Sequence, residues 1–208
     1  MKRLVLFILS AIMLISLPVC SALKAPPEPE FTLGTVNGNV YENTFIGIGC
    51  TLGSEWTFFS DEQIKQQNNV AADLAGEEYK EMMEKATIVY DMFASHSNQI
   101  NTVVVNLEKA DKLQLATLDY ESYFESAVAP IKQSLGNMGF TNITHSIGSL
   151  KIGSTDFTCL NVNSEVNGFT MYQTIIVIKC NGYLASVTFS GDSPEAIAST
   201  VECFYLLP

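Results

Sequence analysis

The sequence predicts one α+β domain built on an antiparallel sheet, preceded by a leader and a short tether. Strand-like runs come in pairs joined by tight turn signals, above all Asn167-Gly168. Amphipathic helical stretches lie between groups of strands, the arrangement of α+β proteins. With 208 residues, 47% of them apolar, the chain can bury a core, and its length suits one domain plus an appendage.

Residues 1–22 read as an export signal: Lys2 and Arg3 form a positive start, and Leu4 to Leu17 an apolar run too short for an ordinary spanning helix. Its end has two readings. Leu17-Pro18-Val19-Cys20 resembles a bacterial lipobox, in which Cys20 would be lipidated and become the first residue. Ordinary cleavage after Ala22, with Cys20 and Ala22 as the small residues, would release the chain instead. Residues 23–34, rich in Pro and Glu, read as a tether holding the domain of residues 35–208 off a membrane.

Within the domain, Thr35 to Leu52 holds two strand-like runs, with a turn at Asn37-Gly38-Asn39. A turn at Gly53 to Trp56 leads to Thr57-Phe58-Phe59. Ser60-Asp61-Glu62-Gln63 is a capping box, so a helix follows, carrying Ile64, Val70, Ala71 and Leu74 and stopping near Gly76. Glu77 to Lys85 makes a second helical piece. Thr87–Ala94 and Thr102–Leu107 read as a hairpin joined by the polar stretch Ser95–Asn101. Asp119 is the N-cap of a helix whose Tyr120, Tyr123, Phe124, Ala127, Val128, Ile131 and Leu135 recur at three and four and share one buried stripe. Gly136 and Gly139 end it, and Pro130 sits where it would bend. Phe140–Ile152 reads as a turn and one or two strands. Phe157–Val162, Phe169–Ile178 and Tyr183–Phe189 are further strands. Ser193-Pro194-Glu195 opens a last helix, with serine capping and proline at the first position, and Ile197, Val201 and Phe204 facing inward.

Charge and cysteine content exclude several function classes. The chain has 22 acidic against 11 basic residues, a net charge of -11, and Lys2 and Arg3 fall in the leader. Arg3 is its one arginine, so the exported part lacks the side chain best suited to bidentate phosphate recognition. Nucleic acid is thus not an expected partner, and attachment to a membrane is expected through the N-terminal anchor alone. Cys50, Cys159, Cys180 and Cys203 are widely spaced in apolar surroundings and read as buried free thiols, although two disulfides are an open alternative in an exported chain. No Cys/His spacing suits zinc.

The series Tyr41-x-Asn43, Phe45-x-Gly47-Ile48, a turn, Trp56-Thr57-Phe58 and Ser60-Asp61-Glu62-Gln63-Ile64 resembles exported bacterial proteins of PsbP-like and Mog1-like architecture. In those, a hairpin and a W-x-x-x-(S/T)-(D/E)-E stretch lead into the first helix. Ile88–Ala94 followed by Thr102–Leu107 resembles a strand pair of uncharacterised lipoproteins of Gram-positive bacteria, and residues 157–204 fit the same pattern. The resemblance spans about residues 35–208 and rests on packing and turn signals. It implies an antiparallel sheet flanked by helices on both faces, and a binding or assembly-accessory role. Cys50 stands where the family often has a larger aromatic, and Gly53 where proline is common. The metal-binding residues of photosynthetic members have no counterparts here, and no metal or cofactor is expected.

No catalytic set stands out. His96 and His145, both in polar surroundings, are the candidates for a small hydrolase, the alternative function, which would need one of them beside a carboxylate. Asp73, Glu77, Glu78, Glu81 and Glu84 form an acidic patch that suits a solvated helix face better than a calcium site. Trp56, Phe58, Phe59, Tyr90, Tyr120, Tyr123 and Phe124 suit a core better than a groove for sugar or peptide. Tyr172 and Tyr183, beside tight turns and with Asn161, Asn163 and Asn181 nearby, are expected to offer a surface. The leading expectation is a non-enzymatic extracytoplasmic domain that binds an unknown protein or small ligand. An exposed sheet edge that takes a partner strand is a third reading.

Overall fold

A computed structural model describes residues 30–208, Ala72 excepted. The export signal, Cys20 and most of the tether lie outside the described residues. The chain forms two antiparallel sheets. The smaller has four strands in the order β1-β2-β3-β11: β1 (Thr35–Asn37), β2 (Val40–Asn43), β3 (Ile48–Thr51) and β11 (Phe204–Leu206). The larger has seven, in the order β4-β5-β6-β10-β9-β8-β7: β4 (Trp56–Phe58), β5 (Ile88–His96), β6 (Thr102–Lys109), β7 (Thr141–Ile152), β8 (Thr155–Val166), β9 (Phe169–Cys180) and β10 (Tyr183–Gly191).

The helices are α1 (Asp61–Gln67), α2 (Gly76–Lys85), α3 (Lys112–Thr117), α4 (Tyr120–Asn137) and α5 (Pro194–Val201). The helix starts follow the capping chemistry of the sequence. The Ser60 hydroxyl accepts from the Gln63 N–H while the Gln63 side chain accepts from the Ser60 N–H. Asp119 and Ser193 cap α4 and α5 in the same manner. The Asn167-Gly168 turn joins β8 to β9 with φ of 51° and 80°, the two positive values of a type I′ hairpin.

Period-two alternation divides the large sheet's burial between two cores. One face sets Val103, Val105 and Leu107 of β6 and Val187 and Phe189 of β10 against Tyr41, Ile48 and Cys50 of the small sheet, with Ile197 and Val201 of α5 filling the remainder. The other sets Leu160, Val162, Ile175 and Val177 against Phe124 and Leu135 of α4. Helices therefore do flank the large sheet on both faces, as expected. Two sheets replace the one expected: β1, β2 and β3 pair with one another and with no strand of the large sheet, and β11, the residues after the last helix, joins them by pairing with β3 through Phe204 and Cys50.

Three element readings are corrected. The first helix ends at Gln67, well before Gly76: Asn69 adopts a left-handed φ of 56°, and the Asn68 side chain leaves the helix to bond β5. Gly76, expected as a stop, instead begins α2. Residues 112–117, to which no expected element belongs, form a short helix capped by Asp111, whose carboxylate accepts from the Gln114 N–H at 2.7 Å.

Candidate functional site

A cleft of about 450 Å³ opens where the two sheets meet α1 and α2, and local rules place each of its walls. Phe59 follows β4, its N–H donating to the Phe93 carbonyl at 2.9 Å, and the two rings pack 4.2 Å apart. The capping box aims α1 so that Ile64 and Lys65 face the cleft. Tyr79 of α2 closes the far side, with the Lys65 ammonium 5.5 Å from its ring centre. Leu33 to Val36 form the opposite wall, and Tyr90 and Asp91 the floor.

At the floor, β5 carries a bulge between Tyr90 and Met92. Asp91 faces inward in phase with Val89 and is 8% exposed, and the extra residue shifts the alternation beyond it so that Met92 and Ala94 turn inward as well. Asn68 stabilises the bulged stretch as a surrogate strand partner. Its Nδ2 donates to the Tyr90 carbonyl at 2.8 Å, and its Oδ1 accepts from the Tyr90 N–H at 2.7 Å.

The Asp91 carboxylate ties the two sheets together. Oδ1 accepts from the Gly34 N–H at 2.8 Å; Oδ2 accepts from Asn43 Nδ2 at 2.7 Å and from the Tyr41 hydroxyl. Asn43 Oδ1 accepts in turn from the Phe45 and Ile46 N–H groups at 2.9 and 3.2 Å, fixing the β2–β3 turn. Burial pushes the Asp91 carboxyl above its usual range, and the three hydrogen bonds pull it part of the way back. The Tyr41 hydroxyl rises by burial and by the adjacent carboxylate. Tyr79 and Tyr90 rise through burial as well. These shifts keep the phenols neutral, so the cleft offers aromatic faces and phenol hydroxyls over a carboxylate already engaged by three donors. That arrangement suits binding of a partly apolar ligand.

Phe59 and Tyr90, assigned to the core in the sequence, meet in this cleft, each half-buried. Phe124 is core, packed under α4. The expected surface of Tyr172 and Tyr183 is half right. Tyr172, Asn161 and Asn163 line a second cleft of about 300 Å³ with Ser146 and α5. Cross-strand register sets Asn163 opposite Tyr172 and Asn161 opposite Thr174, whose hydroxyl donates to Asn161 Oδ1 at 2.8 Å. Tyr183 is 6% exposed and stacks on Phe31 at 5.1 Å. It lies apart from Tyr172 because each tyrosine sits by its own turn, and the two turns fall at opposite ends of β9.

The histidines are not brought together with carboxylates. His96 packs edge-on to Trp56 at 5.3 Å, and its Nδ1 accepts from the Asn98 N–H at 3.2 Å. His145 is exposed on β7. Among the described residues neither forms an ion pair. Glu77, Glu78 and Glu81 are exposed on α2, Glu81 pairing with Lys85 at 3.3 Å, and no group of three metal-ligating side chains occurs among the described residues. Cys50, Cys159, Cys180 and Cys203 are free; Cys50 and Cys159 are buried, while Cys180 and Cys203 are half-buried.

One signal in the sequence points to the cleft. Asp91 interrupts the apolar run Ile88–Ala94, and a carboxylate there must either face solvent or find buried donors.

No known protein family matches the chain, and no curated protein matches it. Among solved structures it is similar to LpqN of Mycobacterium tuberculosis, described as involved in cell envelope biogenesis. The identity is 13% over 77% of this chain and 83% of that one, with a TM-score of 0.44. It is also similar to a Bacteroides thetaiotaomicron protein (13% identity, 78% of this chain, 46% of that one, TM-score 0.37). A third likeness is to PA94 of Pseudomonas aeruginosa, of unknown function (10% identity, 47% of this chain, 63% of that one, TM-score 0.27). At these values neither fold nor function transfers.

Proposed function

We propose that the chain is an extracytoplasmic binding or assembly-accessory domain of PsbP-like and Mog1-like architecture, tethered through Cys20 or released after Ala22. Its ligand occupies the cleft between α1, α2 and the β5 bulge. The observation that carries this reading is the cleft itself: Phe59, Tyr79, Tyr90 and Phe93 surround a space of about 450 Å³, within the range of small-ligand sites. The leader sequence supports the extracytoplasmic address. The large sheet with helices on both faces supports the architecture.

Both cores are built from residues between Phe31 and Phe204, so residues 30–208 suffice for the test. Thermal unfolding is followed against panels of glycans, peptides, lipids and divalent metals. A ligand at about 100 times its Kd stabilises the domain by roughly 2.7 kcal/mol. Tyr79→Ala should abolish that shift, whereas Tyr172→Ala should leave it. A shift that survives Tyr79→Ala and Phe59→Ala, or a turnover lost on changing His96 or His145, would overturn the reading. The address is checked separately: a fatty-acid label present in the parent and lost in Cys20→Ala means a lipid anchor, and no label in either means release or an uncleaved leader.

A further inference from the structure

The smaller sheet and the β4 side of the larger one end in three-residue strands, but the other edge of the larger sheet is β7, twelve residues long. β7 pairs with β8 on its inner side, and no backbone hydrogen bond joins its outer side to any described residue. Long unpaired edges are templates for another strand, and proteins blunt them with bulges, charges or cover. Here the bulge lies at the very start, where Asn142 has a φ of 50°, and pairing with β8 is regular from Thr144 onward. Ile152 at the far end is buried, whereas Thr144–Lys151 are each exposed or half-buried.

We infer that this edge is the interface of a homodimer, in which β7 pairs antiparallel with β7 of a second copy about a twofold axis at Ile147. The register is self-complementary. Ile147 meets its counterpart on the α4 face, where Ile143 and Ile147 already pack half-buried on the second core. His145 lies across from Ser149, Ile143 from the aliphatic stem of Lys151, Thr144 from Leu150, and Ser146 from Gly148, so no like charges face one another.

Charge explains why a second copy is the occupant. Two chains of net charge -11 repel wherever acidic surfaces meet, yet no acidic residue occurs between Glu125 and Asp156, the stretch that supplies β7 and most of α4. The contact would be isologous and closed, which joins the two large sheets into one and removes their long edges. It is independent of what the α1–α2 cleft binds.

The test is sedimentation equilibrium of residues 30–208 over the micromolar range, where the mass should approach twice the monomer's. Ile147→Lys sets two ammonium groups against each other on the axis and should weaken association at least tenfold with an unchanged circular dichroism spectrum. Leu113→Lys, on the exposed face of α3, should leave it intact. As a second measurement, Ile147→Cys places paired Cα atoms at roughly 4.5–5.5 Å, within disulfide reach, and should cross-link on mild oxidation. Ser149→Cys, offset by four residues from its counterpart, should not. A monomer at every concentration, a dimer that survives Ile147→Lys, or cross-linking through Ser149→Cys but not Ile147→Cys would each overturn the proposal.

Discussion

Replacing Asp91 by alanine tests whether one carboxylate holds the two sheets together. The substitution removes the acceptor of three hydrogen bonds at once. Gly34 is half-buried and its N–H can turn to water, but Tyr41 and Asn43 are 0% and 1% exposed and keep their donors without a partner. Each buried orphan costs about 1–3 kcal/mol. Relief from burying a carboxylate, whose pKa burial has raised, offsets part of that. We expect a net loss of about 3 kcal/mol, a Tm drop of roughly 6–12 °C for a domain of this size.

The assay is urea unfolding of residues 30–208 monitored by Trp56 fluorescence. Asp91→Asn, which keeps an acceptor oxygen, should lose less, and Tyr41→Phe, which removes one donor and leaves the carboxylate two, about 1 kcal/mol. A loss under about 0.5 kcal/mol for Asp91→Ala, the range of an inconsequential surface change, would refute the reasoning. The pH dependence has a definite sign. A carboxyl whose folded pKa lies above its unfolded value stabilises the protein fully below the unfolded value, near 3.8, and loses that contribution as pH rises through the folded value. The parent should therefore lose stability relative to Asp91→Asn as pH is raised from about 3.8 toward neutrality.

Other outcomes follow from the same geometry. Gly34→Ala should destabilise by about 2 kcal/mol in the same urea assay, because an added Cβ would overlap the buried Tyr41 ring and sit 2.9 Å from Asp91 Oδ2. Asn68→Ala removes two hydrogen bonds from the bulged stretch of β5 and should cost about 1–2 kcal/mol, with faster amide exchange at Tyr90. Gly168→Val forces a β-branched residue into a φ of 80° and should cost at least about 1 kcal/mol by thermal unfolding. Burial pushes the Cys50 and Cys180 thiols up to about 12, so at pH 8 both should resist iodoacetamide in the folded protein and react once it is unfolded, as read by mass spectrometry.

What the sequence determined is what local chemistry determines. The Ser60 box, Asp119 and Ser193 start helices because a side chain must satisfy N–H groups that the helix leaves unpaired, and Asn167-Gly168 makes a hairpin because its backbone tolerates positive φ. Residues 102–107 and 183–189 form central strands buried on both faces and show no alternation, and helices on both faces were implied by the family resemblance alone; the turn signals and paired strand runs are what made an antiparallel large sheet legible. The second sheet was not, since Phe204–Leu206 is a strand only because β3 lies beside it. Neither was the early stop of α1, where docking of Asn68 on Tyr90 outweighs the helical preference of its neighbours. The candidate site belongs to this second kind. Asp91 became its floor when Gly34, Tyr41 and Asn43, up to 57 residues away, supplied the donors that make a buried carboxylate tolerable, and no short window of sequence contains both halves of that bargain.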